Sequence, residues 1–562
     1  MGSWYHAGAL RHGPPPLELA WMPGIPSDVD ASPASPFHAA DWLVLAAYFG
    51  VLVLTGVLVS RKPASADAYF VGERQMPAWA VALSVLATAL SAATFLGAPQ
   101  QSFSGDLTYL SANIGGILAV LVVGWFFIPV FYRYRVVTVY ELLGRRFGTA
   151  AKMAASWTFV IGRVFANGSR LFIAAAPAAL LLFGDTGLDH PEHLYLAIVA
   201  VTVVGIIYTL VGGISSIIWT DVIQIVVLLG ATLAAAALLL HRIPVPVGEM
   251  VSTLAATPFK DHSKLTVLSF SLSPGASFTV FTAVIGWTLF NLAAYGTDQD
   301  LAQRMLTCKD AVRGGRSALF AILMGIPVTM LFMVIGLLLY LYYRRPDVMG
   351  ASAPTYPVKD AEVFLSFIHH EMPSGLRGLM MAGLFSVAFA SLLSALNAMA
   401  SAFVNDFYRP IWKTMPDRHY LLVGRLAVVG WGVVLALFAC GCVSWKNANH
   451  ETLIEFALGV MTFAYSGLLA VFLTALFTRR GTAFSVIAAL VTGFAVTWLL
   501  QPPVWHDLTC WLFPDLGTHR GWHGLVLASP WRLLIATGAA FAVSCSAASP
   551  ASSEAISGEP AP

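Results

Sequence analysis

The sequence predicts an all-α polytopic membrane protein with about thirteen transmembrane helices, and three observations carry that reading. Of 562 residues, 58% are apolar and only 11% charged, whereas soluble domains carry roughly 25% charged residues. A soluble chain of this length would split into domains, each needing a solvated face that this composition cannot supply. Apolar runs of about 20 residues recur along the chain, and that length crosses a ~30 Å hydrocarbon core. In hydrocarbon every backbone N–H and C=O must be paired internally, so these runs are helices.

Residues 1–40 are rich in Pro, Ser and His. They lack the basic, apolar, cleavage-site order of a signal peptide and read as a disordered segment. An extra N-terminal span occupies 41–62. Five spans follow at about 78–103, 110–132, 153–184, 192–211 and 216–240, and together they form a group over 78–240. Five more, at about 275–297, 317–343, 376–404, 420–443 and 452–477, form a second group over 275–477. Two last spans lie within 482–547, and 548–562 is a polar, disordered tail. Five is odd, so the second group enters the membrane from the opposite side. That is an inverted-topology repeat, the plan of many secondary transporters, in which the first span of each group is broken near the midplane. Residues 84–99, SVLATALSAATFLGAP, suit a break, being small, hydroxyl-rich and ending in Gly97 and Pro99. Close helix packing is the alternative reading of the same residues.

Basic residues assign the orientation. With the N-terminus outside, the inner loops hold Arg61, Lys62, Arg74, Arg133, Arg135, Arg145, Arg146, Lys152, Arg304, Lys309, Arg313, Arg316, Arg409, Lys413, Arg418, Arg425, Arg479 and Arg480. The C-terminus is then cytoplasmic, in a plasma (inner) membrane. A net charge of +2 without a basic tract gives no sign of a nucleic-acid partner. Cys440 and Cys442 have no second pair to complete a zinc site. No motif places a nucleophile beside a base or two histidines on a metal, so the chain is not read as an enzyme.

Ionisable residues inside spans are costly and mark function or pairing. Four stand out: Arg163, Arg170, Asp221 and Glu455. Asp221 lies about two turns into its span and needs either a cation or a hydrogen-bond donor. Arg163 and Arg170 are two turns apart and share a face. Either can hold a substrate carboxylate bidentately or neutralise Asp221. Glu455, near the outer end of its span, reads as solvated. Residues 387–408 carry a seam of Ser391, Ser394, Asn397 and Ser401, which either lines a cavity or packs helices.

Four motifs in order give the chain a resemblance: YTLVGGISSIIWTDVIQ (208–224), GTDQDLAQRMLTCKD (296–310), SALNAMASAFVNDFY (394–408) and GLLAVFLTALF (467–477). With these it resembles the sodium:solute symporters over roughly residues 42–545. The resemblance implies a leucine-transporter fold with two inverted five-helix repeats and alternating access. It implies Na⁺ as the coupling ion, held at Ala87, Leu90, Val387, Ala390 and Ser391. Ala390 replaces a usual hydroxyl, which weakens that site. A second ion site at Asp221 and Ser394 lacks hydroxyls at Ala390 and Leu393, and is expected to be absent or poor. The implied substrate positions are Ser91, Thr94, Tyr109, Asn113 and Asn291. Arg170, with Arg163 second, is the expected carboxylate ligand. Sugar-recognising positions fall on the apolar Ala89, Ala93, Gly325 and Leu458. A small organic anion, such as a sialic acid or a carboxylate, is therefore expected rather than a hexose. Proton-coupled or uncoupled transport, and a non-transporting solute sensor, are the alternatives.

Overall fold

A computed structural model describes residues 37–59, 66–185, 187, 190–211, 213–354, 356, 358–447, 453–502, 504–505, 508 and 527–548. The N-terminal segment to residue 36, the tail from 549 and the side chains of Glu455 and Leu458 lie outside the described residues.

The architecture is helical throughout, apart from a two-residue hairpin pairing Pro258–Phe259 with His262–Ser263. We number the principal helices α1 (Ala39–Val59), α2 (Ala78–Ala89), α3 (Ala92–Ser104), α4 (Thr108–Arg133), α5 (Thr149–Phe183), α6 (Pro191–Val211) and α7 (Ile214–Arg242). There follow α8 (Thr288–Gly296), α9 (Gln299–Met305), α10 (Ala311–Arg344), α11 (Leu376–Ala402) and α12 (Asp417–Asn447). The last are α13 (Leu453–Phe477), α14 (Ala483–Leu499) and α15 (Ser529–Cys545).

Among the described residues nine helices are long and apolar enough to span a membrane, or ten when the bent pair α2–α3 counts as one. The expected thirteen are not all among them. Helices α14 and α15 have 17 residues each, about 26 Å at 1.5 Å per residue, the lower end of the length that crosses a bilayer. The run over 275–297 forms one continuous helix over 280–296, whose π-helical turn Thr282–Trp287 leads directly into α8.

Two apolar runs are interrupted where chemistry concentrates. Helices α2 and α3 meet at 63°, because Leu90 and Ser91 are extended (ψ 152° and 171°). The terminal carbonyls of α2 therefore have no next turn to bond. Helices α8 and α9 are separated at Thr297 and Asp298, and Asp298 caps α9 by accepting the Asp300 N–H at 3.0 Å.

Helix α11 is the centre of the bundle and is buried along nearly its whole length. It packs along α7 and against α2, α5 and α12. Buried Asp41 of α1 holds its start, accepting the Gly375 and Gly378 N–H groups at 2.7 and 2.8 Å. A carboxylate there also suits the positive end of the helix. Small residues set the close crossings. A Cβ on Gly336 of α10 would lie 2.2 Å from the Pro99 carbonyl of α3. At the same crossing Ser102 donates to the Met333 carbonyl at 2.7 Å.

Arg304 is not an inner-loop residue, contrary to the charge count made from sequence. It is 1% exposed, inside α9. Counting Lys and Arg by position cannot distinguish a loop from a buried helix turn.

Candidate functional site

The two helix breaks face a buried network of ions. Arg163 of α5 donates from Nε to Asp298 Oδ1 (3.1 Å) and from Nη2 to Asp298 Oδ2. Its Nη1 lies 3.1 Å from Asp300 Oδ2. Tyr465 of α13 donates to the same Asp298 at 2.8 Å. One turn on, Arg304 donates to Asp221 Oδ2 (3.0 Å), Ser394 Oγ (2.6 Å) and Ser84 Oγ (2.8 Å), and it approaches Asp300 Oδ1 at 3.4 Å. Ser84 donates in turn to Asp221 Oδ2. Helices α2, α5, α7, α9, α11 and α13 thus meet in one cluster.

The geometry gives partners to two residues whose roles the sequence left open. Asp221 and Ser394 do come together, and the cation between them is the guanidinium of Arg304. Arg163 is paired with two carboxylates, Asp298 and Asp300. Asp298, Asp300, Arg304 and Ser84 were missed by sequence reasoning. Their signal was legible: DQDLAQR (298–304) puts three ionisable residues into seven positions beside an apolar run.

Arg170, two turns further along α5, stands apart. Among the described residues no carboxylate forms an ion pair with it. Its Nη1 donates to Ser391 Oγ (3.2 Å) and its Nη2 to Met461 Sδ (3.5 Å). Its Nε is buried and unpaired. The side chain borders a cavity of about 160 Å³ that also touches Thr88, Tyr109, Asn113, Asn291, Tyr295 and Tyr465. Asn113 and Asn291 spend their amide N–H groups locally, on the Leu110 and Trp287 carbonyls at 3.0 and 2.8 Å. Of the expected substrate positions, Tyr109, Asn113, Arg170 and Asn291 converge on this cavity. Ser91 and Thr94 do not line it. Ser91 sits at the start of α3, its carbonyl accepting the Thr94 N–H at 2.8 Å, while Thr88 and Ala89 face the space instead.

The five residues expected to hold an ion lie on two packed elements. Ala87 and Leu90 end α2, and Val387, Ala390 and Ser391 are buried on α11, which packs against it. The donor set is carbonyls plus one hydroxyl, all hard oxygens. That hydroxyl, Ser391 Oγ, is already shared between Arg170 and Asn167 Oδ1 (3.3 Å).

A separate buried ion pair centres on Asp406. This carboxylate accepts from Thr138 (2.7 Å) and Ser156 (2.8 Å) and pairs with Lys152 (3.0 Å).

Helices broken around a polar cavity inside an apolar bundle are the plan of a membrane transporter. The family model described as the sodium:solute symporter family matches residues 69–493, and the chain belongs to that family. The chain is 27% identical over 459 residues to the sodium/sialic acid symporter SiaT of Proteus mirabilis, covering 81% of this chain and 88% of that one. It is 26% identical over 497 residues to the human sodium/iodide cotransporter, covering 86% and 72%. It is also 26% identical over 482 residues to sodium-coupled monocarboxylate transporter 2 of Danio rerio, covering 85% and 73%. Its fold matches that of a Na⁺-coupled sialic acid symporter solved substrate-bound and outward-open. The TM-score is 0.73 at 24% identity, over 91% of this chain and 97% of the other.

Proposed function

We propose that this transporter couples Na⁺ to the uptake of a small organic anion, with Arg170 as the anion ligand. The observation that carries this is Arg170 itself: a guanidinium bordering the cavity with no carboxylate paired to it. Charge balance adds a reason for coupling. Arg163, Arg170 and Arg304 match Asp221, Asp298 and Asp300, so the centre is already neutral among the described residues. An anion entering alone would leave a net buried charge, which is costly at low dielectric. An anion entering with one Na⁺ would not.

The ion is assigned to Ala87, Leu90, Val387, Ala390 and Ser391. For it to bind, Ser391 Oγ must turn from the Arg170 guanidinium toward the ion. Substrate carboxylate drawing Arg170 into the cavity would release that hydroxyl, so binding of each ligand would favour the other. A second Na⁺ at Asp221 and Ser394 is disfavoured by Arg304. The named relatives carry sialic acid, iodide and monocarboxylates, which are all anions. A cavity of about 160 Å³ is below the roughly 300 Å³ at which ligand pockets usually begin, which favours the smaller carboxylates. Hexose recognition is opposed by Ala89 on the cavity wall. We further infer two inverted repeats, 78–240 and 275–477, each opening on a broken helix. The same reading puts the protein in the plasma (inner) membrane, with the N-terminus outside and the C-terminus cytoplasmic.

Thermal stabilisation of the purified protein tests the proposal, because a ligand stabilises in proportion to its occupancy of the folded state. A monocarboxylate or sialic acid should raise the Tm in Na⁺ buffer and much less in choline buffer, and glucose should not. Stabilisation by glucose, or anion stabilisation indifferent to Na⁺, would remove the basis for the assignment.

A further inference from the structure

The cavity that Arg170 borders is not lined by donors alone. Asn113 of α4 and Asn291 of α8 both border it, and both carboxamides have a fixed sense. Each amide nitrogen donates to a backbone carbonyl about one turn back on its own helix, 3.0 Å to Leu110 and 2.8 Å to Trp287. Only the N–H end of a carboxamide can make that bond, so each Oδ1 is turned the other way. Among the described residues no hydrogen bond reaches either Oδ1, and neither atom is sealed off from the space beside it. Tyr109 and Tyr295, one turn away on the same two helices, also border the cavity with hydroxyls that have no partner among the described residues.

The two helices bring these groups to one place. Helix α4 packs along α8, and a Cβ on Gly116, one turn beyond Asn113, would lie 3.9 Å from Asn291 Cγ. A phenol can donate or accept, but an amide carbonyl only accepts. A carboxylate also only accepts. It suits Arg170 and the phenols, and it leaves both Oδ1 atoms without a donor. A polar group left unpaired when water is displaced penalises the guest that displaces it. The guest that fits therefore carries an O–H or N–H besides its carboxylate. An ammonium is opposed by Arg170, and the aspartates that could receive it are held by Arg163 and Arg304. A hydroxyl supplies the donor without a charge. A volume of about 160 Å³ restricts the guest to a short carbon chain, with Trp287 and Phe290 on the wall to cover it.

We propose that the substrate is a short hydroxycarboxylate, its carboxylate on Arg170 and its hydroxyl donating to the Oδ1 of Asn113 or Asn291. This rests on Arg170 as the anion ligand. It goes further in making the two asparagines the residues that select hydroxylated over plain carboxylates.

The test titrates purified full-length protein in Na⁺ buffer with L-lactate, 3-hydroxypropionate, propionate and L-alanine, and reads apparent Kd from thermal stabilisation. At least one of the two hydroxy acids should bind about ten-fold or more tightly than propionate, because a site built to pair a hydroxyl rejects the analogue that lacks it. Alanine should bind no better than propionate. Asn113→Leu or Asn291→Leu, which keep the side-chain volume, should weaken the hydroxy acid to the level of propionate while propionate itself is unchanged. A general distortion of the cavity would weaken both. Propionate equal to both hydroxy acids in the wild type, a preference that survives both substitutions, or alanine binding tightest would overturn this inference and leave the anion assignment standing. No stabilisation by any of the four would overturn both. If a leucine variant fails to fold, the wild-type ranking still decides.

Discussion

Arg304→Met is the perturbation that the buried network answers most sharply. In the native protein Arg304 supplies donors to Asp221, Ser394 and Ser84 at 3.0, 2.6 and 2.8 Å. Methionine fills similar volume and supplies none. Asp221 is fully buried and its Oδ1 is already unpaired, so the variant leaves a carboxylate held only by Ser84. Removing one partner of a buried ion pair costs about 3–5 kcal/mol, because the other charge is left uncompensated. At roughly 2 °C per kcal/mol for a large domain, the Tm should fall on the order of 6–10 °C. Asp221→Asn in the same background removes the stranded charge, so the double variant should recover more than half of the loss. Purified protein in detergent, followed by intrinsic fluorescence on heating, gives all three values. A Tm for Arg304→Met within 1–2 °C of the wild type would refute the reasoning, as would losses that simply add in the double variant.

Three further outcomes follow from the geometry. Arg170→Lys keeps the charge but loses the planar fork, so the apparent KM for the anion should rise at least ten-fold, whereas the Tm without ligand should hardly move; an unchanged KM would take Arg170 out of the site. Ser391→Ala should weaken Na⁺-dependent stabilisation, whereas Ser394→Ala should lower the Tm equally with and without Na⁺, because Ser394 accepts from Arg304; the reverse pattern would exchange their roles. His369 lies outside the spans, and burial pulls its pKa down to about 4. Its folded-state pKa is below the unfolded value of about 6.5, so the unfolded chain takes the proton first and stability is lost as pH falls from about 6.5 toward 4. His369→Phe should therefore lose less Tm than the wild type between pH 7.5 and pH 5, by a few degrees, and parallel curves would contradict the assignment.

Hydropathy made the bundle legible, since length and composition alone determine which segments prefer hydrocarbon. The break in the first core helix was legible in part: it falls in the small, hydroxyl-rich run over 84–99, at Leu90 and Ser91, whereas Pro99 lies inside α3. Pairing was not. Arg304 lies 83 residues from Asp221, and no local pattern announces that contact. The same residue was counted as an inner-loop charge because sequence position says nothing about burial. Arg163 and Arg170 share a helix face, one residue type and a border on the same cavity, so only their partners separate them: Arg163 pairs with Asp298 and Asp300, and Arg170 with no carboxylate among the described residues. Ser91 and Thr94 were placed at the substrate because the family resemblance implies those positions. The extended backbone at Leu90 and Ser91 instead presents Thr88 and Ala89 to the cavity.

The central claim is that an ion gradient drives an anion inward through the Arg170 cavity. Uptake of a radiolabelled monocarboxylate or sialic acid into proteoliposomes, with and without an inward Na⁺ gradient at equal pH, measures it directly. Transient accumulation above the equilibrium level with the gradient, and none without it or in Arg170→Ala, is the expected result. Uptake that is equal with and without the Na⁺ gradient would contradict the account.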